Sequence, residues 1–264
     1  MLNLNLEGKS AFITGSTAGI GYAIAKGLAE QGAKVILNGR SSEKVQSAVE
    51  TLKAELQGAD VTGVPADLSS AEGCADAARS AGNVDIFIHN AGIYQPIDFY
   101  EADDAVWEKH WAINVMAGVR LARALTPGMV DRNWGRVIFL ASESAFNIPA
   151  DMIHYGVTKT ADVSLARGLA KRLAGTNVTV NSLLPGPTIS DGFEELFAAE
   201  AERTGKSMET LGIEFVKAMR PSSVIQRAAT VDEVANMAVY LSSDAASATT
   251  GASVRVDGGV VDSL

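Results

Sequence analysis

Short apolar runs alternate with longer stretches of helical periodicity along the chain. The runs fall at residues 10–14, 35–37, 84–89, 136–141, 178–184 and 253–256, with a weaker one at 61–65. They are rich in Val, Ile, Leu and Phe and lack strict alternation, the pattern of strands buried on both faces of a parallel sheet. Between them, residues 20–31, 43–56, 71–79, 104–130, 153–173 and 231–241 read as helices. Strand–helix alternation with right-handed crossovers predicts an α/β fold: a doubly wound parallel sheet of seven strands with helices on both faces. No repeat, low-complexity tract or linker interrupts the pattern, so residues 1–264 are expected to form a single domain. The stretch 190–227 departs from it. It is mostly helical, polar and acidic, and longer than a crossover needs, which suggests a substrate lid or specificity insert.

Composition narrows the partners. The 22 Lys and Arg are outnumbered by 31 Asp and Glu, a net charge of −9. That balance argues against nucleic acid as a main partner and against a polybasic membrane anchor. A lone cysteine, Cys74, allows neither an intramolecular disulfide nor a multi-cysteine metal site. His89, His110 and His154 show no metal-ligand spacing, so no metal is expected. Residues 1–8 lack the pattern of a signal peptide, and no run approaches a membrane span, so a soluble, cytoplasmic protein is expected.

The first apolar run leads directly into Gly15-Ser16-Thr17-Ala18-Gly19-Ile20-Gly21 and then a helix. A glycine-rich turn between a first strand and a first helix sets backbone amides and a helix N-terminus against a phosphate. Gly15 permits the tight turn, Gly19 lets a pyrophosphate approach, and Gly21 lets the helix pack against the sheet. A ligand-free βα turn would use the same glycines. The second strand ends in Leu37-Asn38-Gly39-Arg40-Ser41. Sites that prefer NAD place an acid near Gly39 to bind the ribose 2′-hydroxyl. Here there is none, and Arg40 and Ser41 offer a guanidinium and a hydroxyl to a 2′-phosphate. NADP(H) is therefore expected over NAD(H), although Ser41 or Ser42 could instead cap the next helix.

Further motifs follow in order. Asn90-Ala91-Gly92 closes the fourth strand, and Asn114 lies in the helix after it. Ser142 ends the fifth strand, and Tyr155-Gly156-Val157-Thr158-Lys159 begins thirteen residues later. Pro185-Gly186-Pro187-Thr188 ends the sixth strand, and Val256-Asp257-Gly258-Gly259 ends the last. With these motifs the whole chain resembles the short-chain dehydrogenase/reductase family, in the subgroup with TGxxxGxG and YxxxK motifs. The resemblance implies a Rossmann fold and a nicotinamide cofactor. It places Ser16, Thr17 and Ile20 with the glycines at the pyrophosphate, Asp67 and Leu68 beside the adenine, and Asn90, Ala91 and Gly92 beside a ribose. Pro185, Gly186, Thr188 and Ser190 would approach the nicotinamide. It also implies a homotetramer or dimer assembled through the helices at 104–130 and 153–173 and through the C-terminal strand.

Tyr155 and Lys159 are four apart on a helix and share a face. A free phenol releases its proton near pH 10, and a nearby ammonium or oxidised nicotinamide favours the phenolate. Such a tyrosine can give a proton to a carbonyl oxygen or take one from an alcohol. Ser142 would bind the same oxygen, with Ser144 as a possible substitute. Lys159 would also hold the nicotinamide ribose, and by resemblance Asn114 would fix a relay water. Read alone, the Tyr155–Lys159 pair would be surface packing. Tyr94, Gln95, Glu143, Ser144, Ile148, Met152, His154, Pro187 and Phe193 flank these motifs as candidate substrate contacts. Glu143 would receive a substrate hydroxyl or amine, or bond to backbone. His154 faces away from Tyr155 and is expected at an interface or cap.

The expected activity is hydride transfer between NADP(H) and a small carbonyl or secondary alcohol. One alternative is a 3-oxoacyl-carrier-protein or acyl thioester reductase. Residues 131–134 and 175–177 are poor in positive charge, so docking of an acidic carrier would be electrostatically unaided. Another is a catalytically inactive nucleotide-binding regulatory protein, against which the intact Ser142, Tyr155, Lys159 and Asn114 weigh.

Overall fold

The computed structural model describes residues 4–263. In chain order the elements are β1 (Ser10–Ile13), α1 (Gly19–Glu30), β2 (Lys34–Gly39), α2 (Ser42–Glu55), β3 (Val61–Pro65), α3 (Ala71–Ala81), β4 (Ile86–His89), α4 (Asp104–His110), α5 (Ala117–Asp131) and β5 (Gly135–Leu140). They continue as α6 (Ile153–Arg172), β6 (Val178–Pro185), β7 (Thr188–Ile189), α7 (Asp191–Thr204), α8 (Met208–Met219), β8 (Ala229–Thr230), α9 (Val231–Leu241) and β9 (Ser253–Val256). Seven strands form one sheet in the order β3-β2-β1-β4-β5-β6-β9. Every neighbouring pair is parallel. All seven anticipated strands are present.

Successive strand residues point to opposite faces, and both faces are covered. Ala11, Ile13, Leu37 and Ile88 pack with Ile24 and Leu28 of α1, Leu52 of α2 and Val234 and Ala238 of α9. Phe12, Ile36, Phe87 and Phe139 pack on the other face with Ala77 of α3, Leu121 of α5 and Ala166 of α6. Burial on both sides is why the runs read as uninterrupted apolar sequence. Helix starts are set locally. Ser41, Ser70 and Thr230 accept backbone amides of the first turns of α2, α3 and α9, and Thr230 with Glu233 closes a reciprocal capping box. Each such cap contributes about 1 kcal/mol.

The strand order reverses between β1 and β4. The two chains leaving their carboxyl ends diverge there and open a crevice, the usual ligand position in a doubly wound sheet.

One element differs from the sequence expectation. The helix anticipated at 104–130 is interrupted by a π-helical turn, Trp111–Met116, between α4 and α5. Its wider turn is held by hydrogen bonds from Asn114 to neighbouring elements. The stretch 190–227 contains α7 and α8, with Phe193, Phe197 and Phe215 packed ring on ring between them. Its two ends are tied by a parallel β7–β8 pair, Thr188 beside Ala229 and Ile189 beside Thr230.

Candidate active site

The glycine turn after β1 is locked to the end of β4. Thr14 Oγ1 accepts the amides of Asn90 and Ala91, and Asn90 Nδ2 donates to the carbonyls of Thr14 and Gly15. Gly15 and Gly19 hold φ of 60° and 58°, where a side chain is strained. A Cβ on Gly21 would lie 2.4 Å from Asn90 Nδ2 and 2.5 Å from Gly15 O, so no side chain fits. Ser16 is fully buried, its hydroxyl donating to Ile13 O and accepting from Asn38 N. It builds the loop and does not turn its side chain to the crevice. The Gly19 amide, at the start of α1, donates to Asp191 Oδ2 at 2.6 Å. A carboxylate of α7 thus sits on the helix end expected to meet a pyrophosphate.

One branch of the crevice, about 540 Å³, is lined by Gly15, Thr17, Gly39, Asp67, Leu68, Ala91 and Gly92, with Arg40, Ser41 and Lys44 at one end. Arg40 and Ser41 line it together with Lys44. Ser41 also caps α2, accepting from Lys44 N and donating to Glu43 Oε2. The residues fit a dinucleotide: glycines where side chains would block the backbone, a sterically open wall, and two cations at the far end.

The second branch, about 290 Å³, brings together Ser142, Tyr155 and Lys159 with Gly92, Tyr94, Glu143, Ser144, Met152, Pro185, Gly186, Pro187, Thr188, Ser190 and Phe193. Ile20 and Asn90 line it too. Ser142 caps a short turn by accepting Ser144 N. The Tyr155 ring packs edge-on to Tyr94, 6.2 Å between centroids. Lys159 Nζ lies 5.9 Å from the centre of the Tyr155 ring, donating to Leu140 O at 2.6 Å and to Asp162 Oδ2 at 3.2 Å. Gly92 borders the lysine: a Cβ there would stand 3.6 Å from Lys159 Nζ, in ordinary van der Waals contact.

Asn114 lies in the π turn. Its Oδ1 accepts from Ile93 N, and its Nδ2 donates to Ile93 O and Thr158 Oγ1. Protein atoms engage both ends of the amide, so the side chain fixes the loop after β4 against α6. Its backbone carbonyl lies 2.9 Å from His89 Nε2. His89 Nδ1 lies 3.2 Å from Thr14 Oγ1. Burial, and then the Lys159 charge, hold the His89 imidazole down at about 4, so it is neutral. A neutral ring that donates from Nε2 to Asn114 accepts at Nδ1 from Thr14.

Four further residues sit otherwise than expected. Glu143 is buried and paired with Arg220 from the end of α8, Nε to Oε1 at 2.6 Å, because the insert folds back over the pocket. Burial pushes its carboxyl up and Arg220 opposes this. Gln95 lies in an outer vestibule with Leu196 and Met219, beyond the inner pocket, and Ile148 is exposed. His154 is neither cap nor surface. It is buried against His110, 4.4 Å between ring centres, and Trp107, joining α6 to α4 within the chain.

Sequence reasoning missed Lys44, Asp162, Asp191 and Arg220. Asp162 was legible as an acid three residues after Lys159. Asp191 and Arg220 depend on how the insert folds and carried no local signal.

The family model described as short chain dehydrogenase matches residues 9–201. The uncharacterised oxidoreductase YvaG of Bacillus subtilis is 41% identical, the match covering all of both chains. D-beta-hydroxybutyrate dehydrogenase of Cupriavidus necator is 35% identical over 97% of this chain and 99% of that protein. Among solved structures, L-sorbose reductase of Gluconobacter frateurii, complexed with NADPH and L-sorbose, superposes with a TM-score of 0.93 at 32% identity over all of both chains.

Proposed function

The chain belongs to the short-chain dehydrogenase family of oxidoreductases acting on CH–OH groups, and we propose that it moves hydride between NADP(H) and a small carbonyl or secondary alcohol, with Tyr155 as general acid and base. The observation that carries this reading is the meeting of Ser142, Tyr155 and Lys159 in one pocket that opens, past Gly92, into a crevice ending in Arg40 and Lys44. The cofactor supplies the hydride.

The chain's own residues supply the rest. Gly15, Gly19, Ile20 and Gly21 seat the pyrophosphate. Arg40 and Lys44 would take the 2′-phosphate, Asp67 and Leu68 would flank the adenine, and Pro185, Gly186, Thr188 and Ser190 would line the nicotinamide. Ser142 binds the substrate oxygen. In reduction the Tyr155 hydroxyl gives that oxygen its proton, and in oxidation the phenolate removes it. The Lys159 ammonium favours the phenolate and would hold the ribose. The small inner pocket, and the likeness to enzymes named for L-sorbose and hydroxybutyrate, support a small polar substrate. Glu143 and Arg220 line that pocket as an ion pair.

Assembly into a homotetramer or dimer uses α5 and α6, whose exposed groove includes Val119, Pro127, Leu165 and Leu169. The test of the chemistry is Tyr155→Phe. Turnover of NADPH with a panel of ketoses and small keto acids should be lost while NADPH binding, read by cofactor fluorescence, stays within about twofold, since only the proton donor goes. Full turnover in that variant would remove Tyr155 from the mechanism.

A further inference from the structure

The most deeply buried carboxylate near the pocket has no part in the reaction as described. Asp162 lies on α6, three residues beyond Lys159, and its side chain is fully buried. Its Oδ2 accepts from Lys159 Nζ at 3.2 Å, and its Oδ1 has no hydrogen-bond partner among the described residues. Burying a carboxylate with half its acceptors unmet is costly unless a charge compensates. The one charge acting on Asp162 is that of Lys159. Lys159 in turn is 95% buried, its ammonium shared between the Leu140 carbonyl and this carboxylate. The two residues form one ion pair within the wall of the site.

Among the described residues, the surroundings leave no other counter-charge. From β4, His89 faces Lys159 and is neutral. From the turn after Ser142, Glu143 is engaged by Arg220. On β5, Arg136 is paired with Asp244. From α4, His110 packs on His154, and burial disfavours its charged form. On α5, Arg120 lies by Cys74 and Asp67. β6 and the π turn carry no ionisable side chain.

Resting on the reading of Tyr155 and Lys159 given above, we infer that Asp162 is a positioning residue acting through Lys159: its carboxylate anchors the ammonium and offsets part of its charge, and so sets how readily the Tyr155 phenol gives up its proton. An uncompensated ammonium would hold the phenol ionised over a wider pH range. That favours proton abstraction from an alcohol and weakens proton donation to a carbonyl. The counter-ion shifts that balance back toward donation. Burial pushes the Asp162 carboxyl up to about 6, with Lys159 opposing. The offset therefore operates above that pH and fades below it.

The test reads the phenol directly. In the complex with NADP⁺, the near-ultraviolet absorbance of tyrosinate is titrated in the parent, Asp162→Asn, Asp162→Glu and Tyr155→Phe. The chain has 5 tyrosines, and the step missing from Tyr155→Phe belongs to Tyr155. Asp162→Asn keeps the shape and removes the charge, and should move that step down by roughly half a unit to one unit. Asp162→Glu keeps the charge and should return it toward the parent value. A purely structural role would change melting temperature and leave the step in place. Should Asn not be tolerated, Asp162→Ser carries the same test. If the charge-free variant titrates with the parent while Tyr155→Phe lacks the step, the role of Asp162 is overturned and the reading of Tyr155 stands. If the step persists in Tyr155→Phe, that reading falls, and the role of Asp162 falls with it.

Discussion

The buried ion pair between Glu143 and Arg220 joins the inner pocket to the insert, and its energetics follow from burial. Truncating one partner strands the other. Arg220→Ala should cost roughly 3 kcal/mol or more of stability, and the double variant Glu143→Gln with Arg220→Ala should recover much of it, as read by urea denaturation. If the single variant is as stable as the parent, the pair contributes nothing net. His89 gives a signed pH effect. Its folded-state value, about 4, lies below the unfolded 6.5. Its contribution is therefore complete above pH 6.5 and is lost as pH falls toward 4. Asp162 works in the opposite sense, because its carboxyl is raised from 3.8 to about 6 and folding gains from acidification between those values. The stability difference between parent and His89→Asn should therefore shrink as pH falls from 6.5 to 4, and a constant difference would remove His89 from this linkage. At this scale the sequence was most legible where chemistry and spacing coincide, as for Ser142, Tyr155 and Lys159. It was least legible for Arg220, whose partner lies 77 residues away.

At the scale of elements, strands and the Ser41 cap were readable because their signals are local: uninterrupted apolar runs, and a Ser at a helix start. The π turn was not, since the apolar periodicity of α4 and α5 runs on through it while the distortion is held by contacts of Asn114 with Ile93 and Thr158. The two-residue strands β7 and β8 are too short to carry a period. The first residue of α7 has the clearest functional consequence. Asp191 places a carboxylate on the Gly19 amide, where the cofactor pyrophosphate would bring further negative charge. Asp191→Asn should therefore tighten NADPH binding by about three- to fivefold, in keeping with the worth of a charge at a helix end. Fluorescence titration checks this, and unchanged or weaker binding would mean that the carboxylate does not compete. At the other end of the crevice, Arg40→Ala should weaken NADPH at least tenfold while changing NADH little, because a charge-assisted phosphate contact is lost. Equal losses for both cofactors would refute the 2′-phosphate assignment.

For the molecule as a whole, the net charge of −9 does not describe the site. Two of the 22 basic side chains, Arg40 and Lys44, line the end of the crevice where a phosphate is expected. Association through α5 and α6 predicts that Leu169→Glu, placed in their shared groove, lowers the mass seen by light scattering. The same mass in that variant would place the interface elsewhere. The short β7–β8 ladder has a consequence for divergence. It brings residues 188–189 beside 229–230, so the intervening helices begin and end at nearly one point on a fixed frame. A segment tethered in that way is a cassette. Related enzymes could exchange, lengthen or trim it without disturbing the sheet or the hydride-transfer machinery, and new substrates could be acquired by replacing one contiguous stretch of chain.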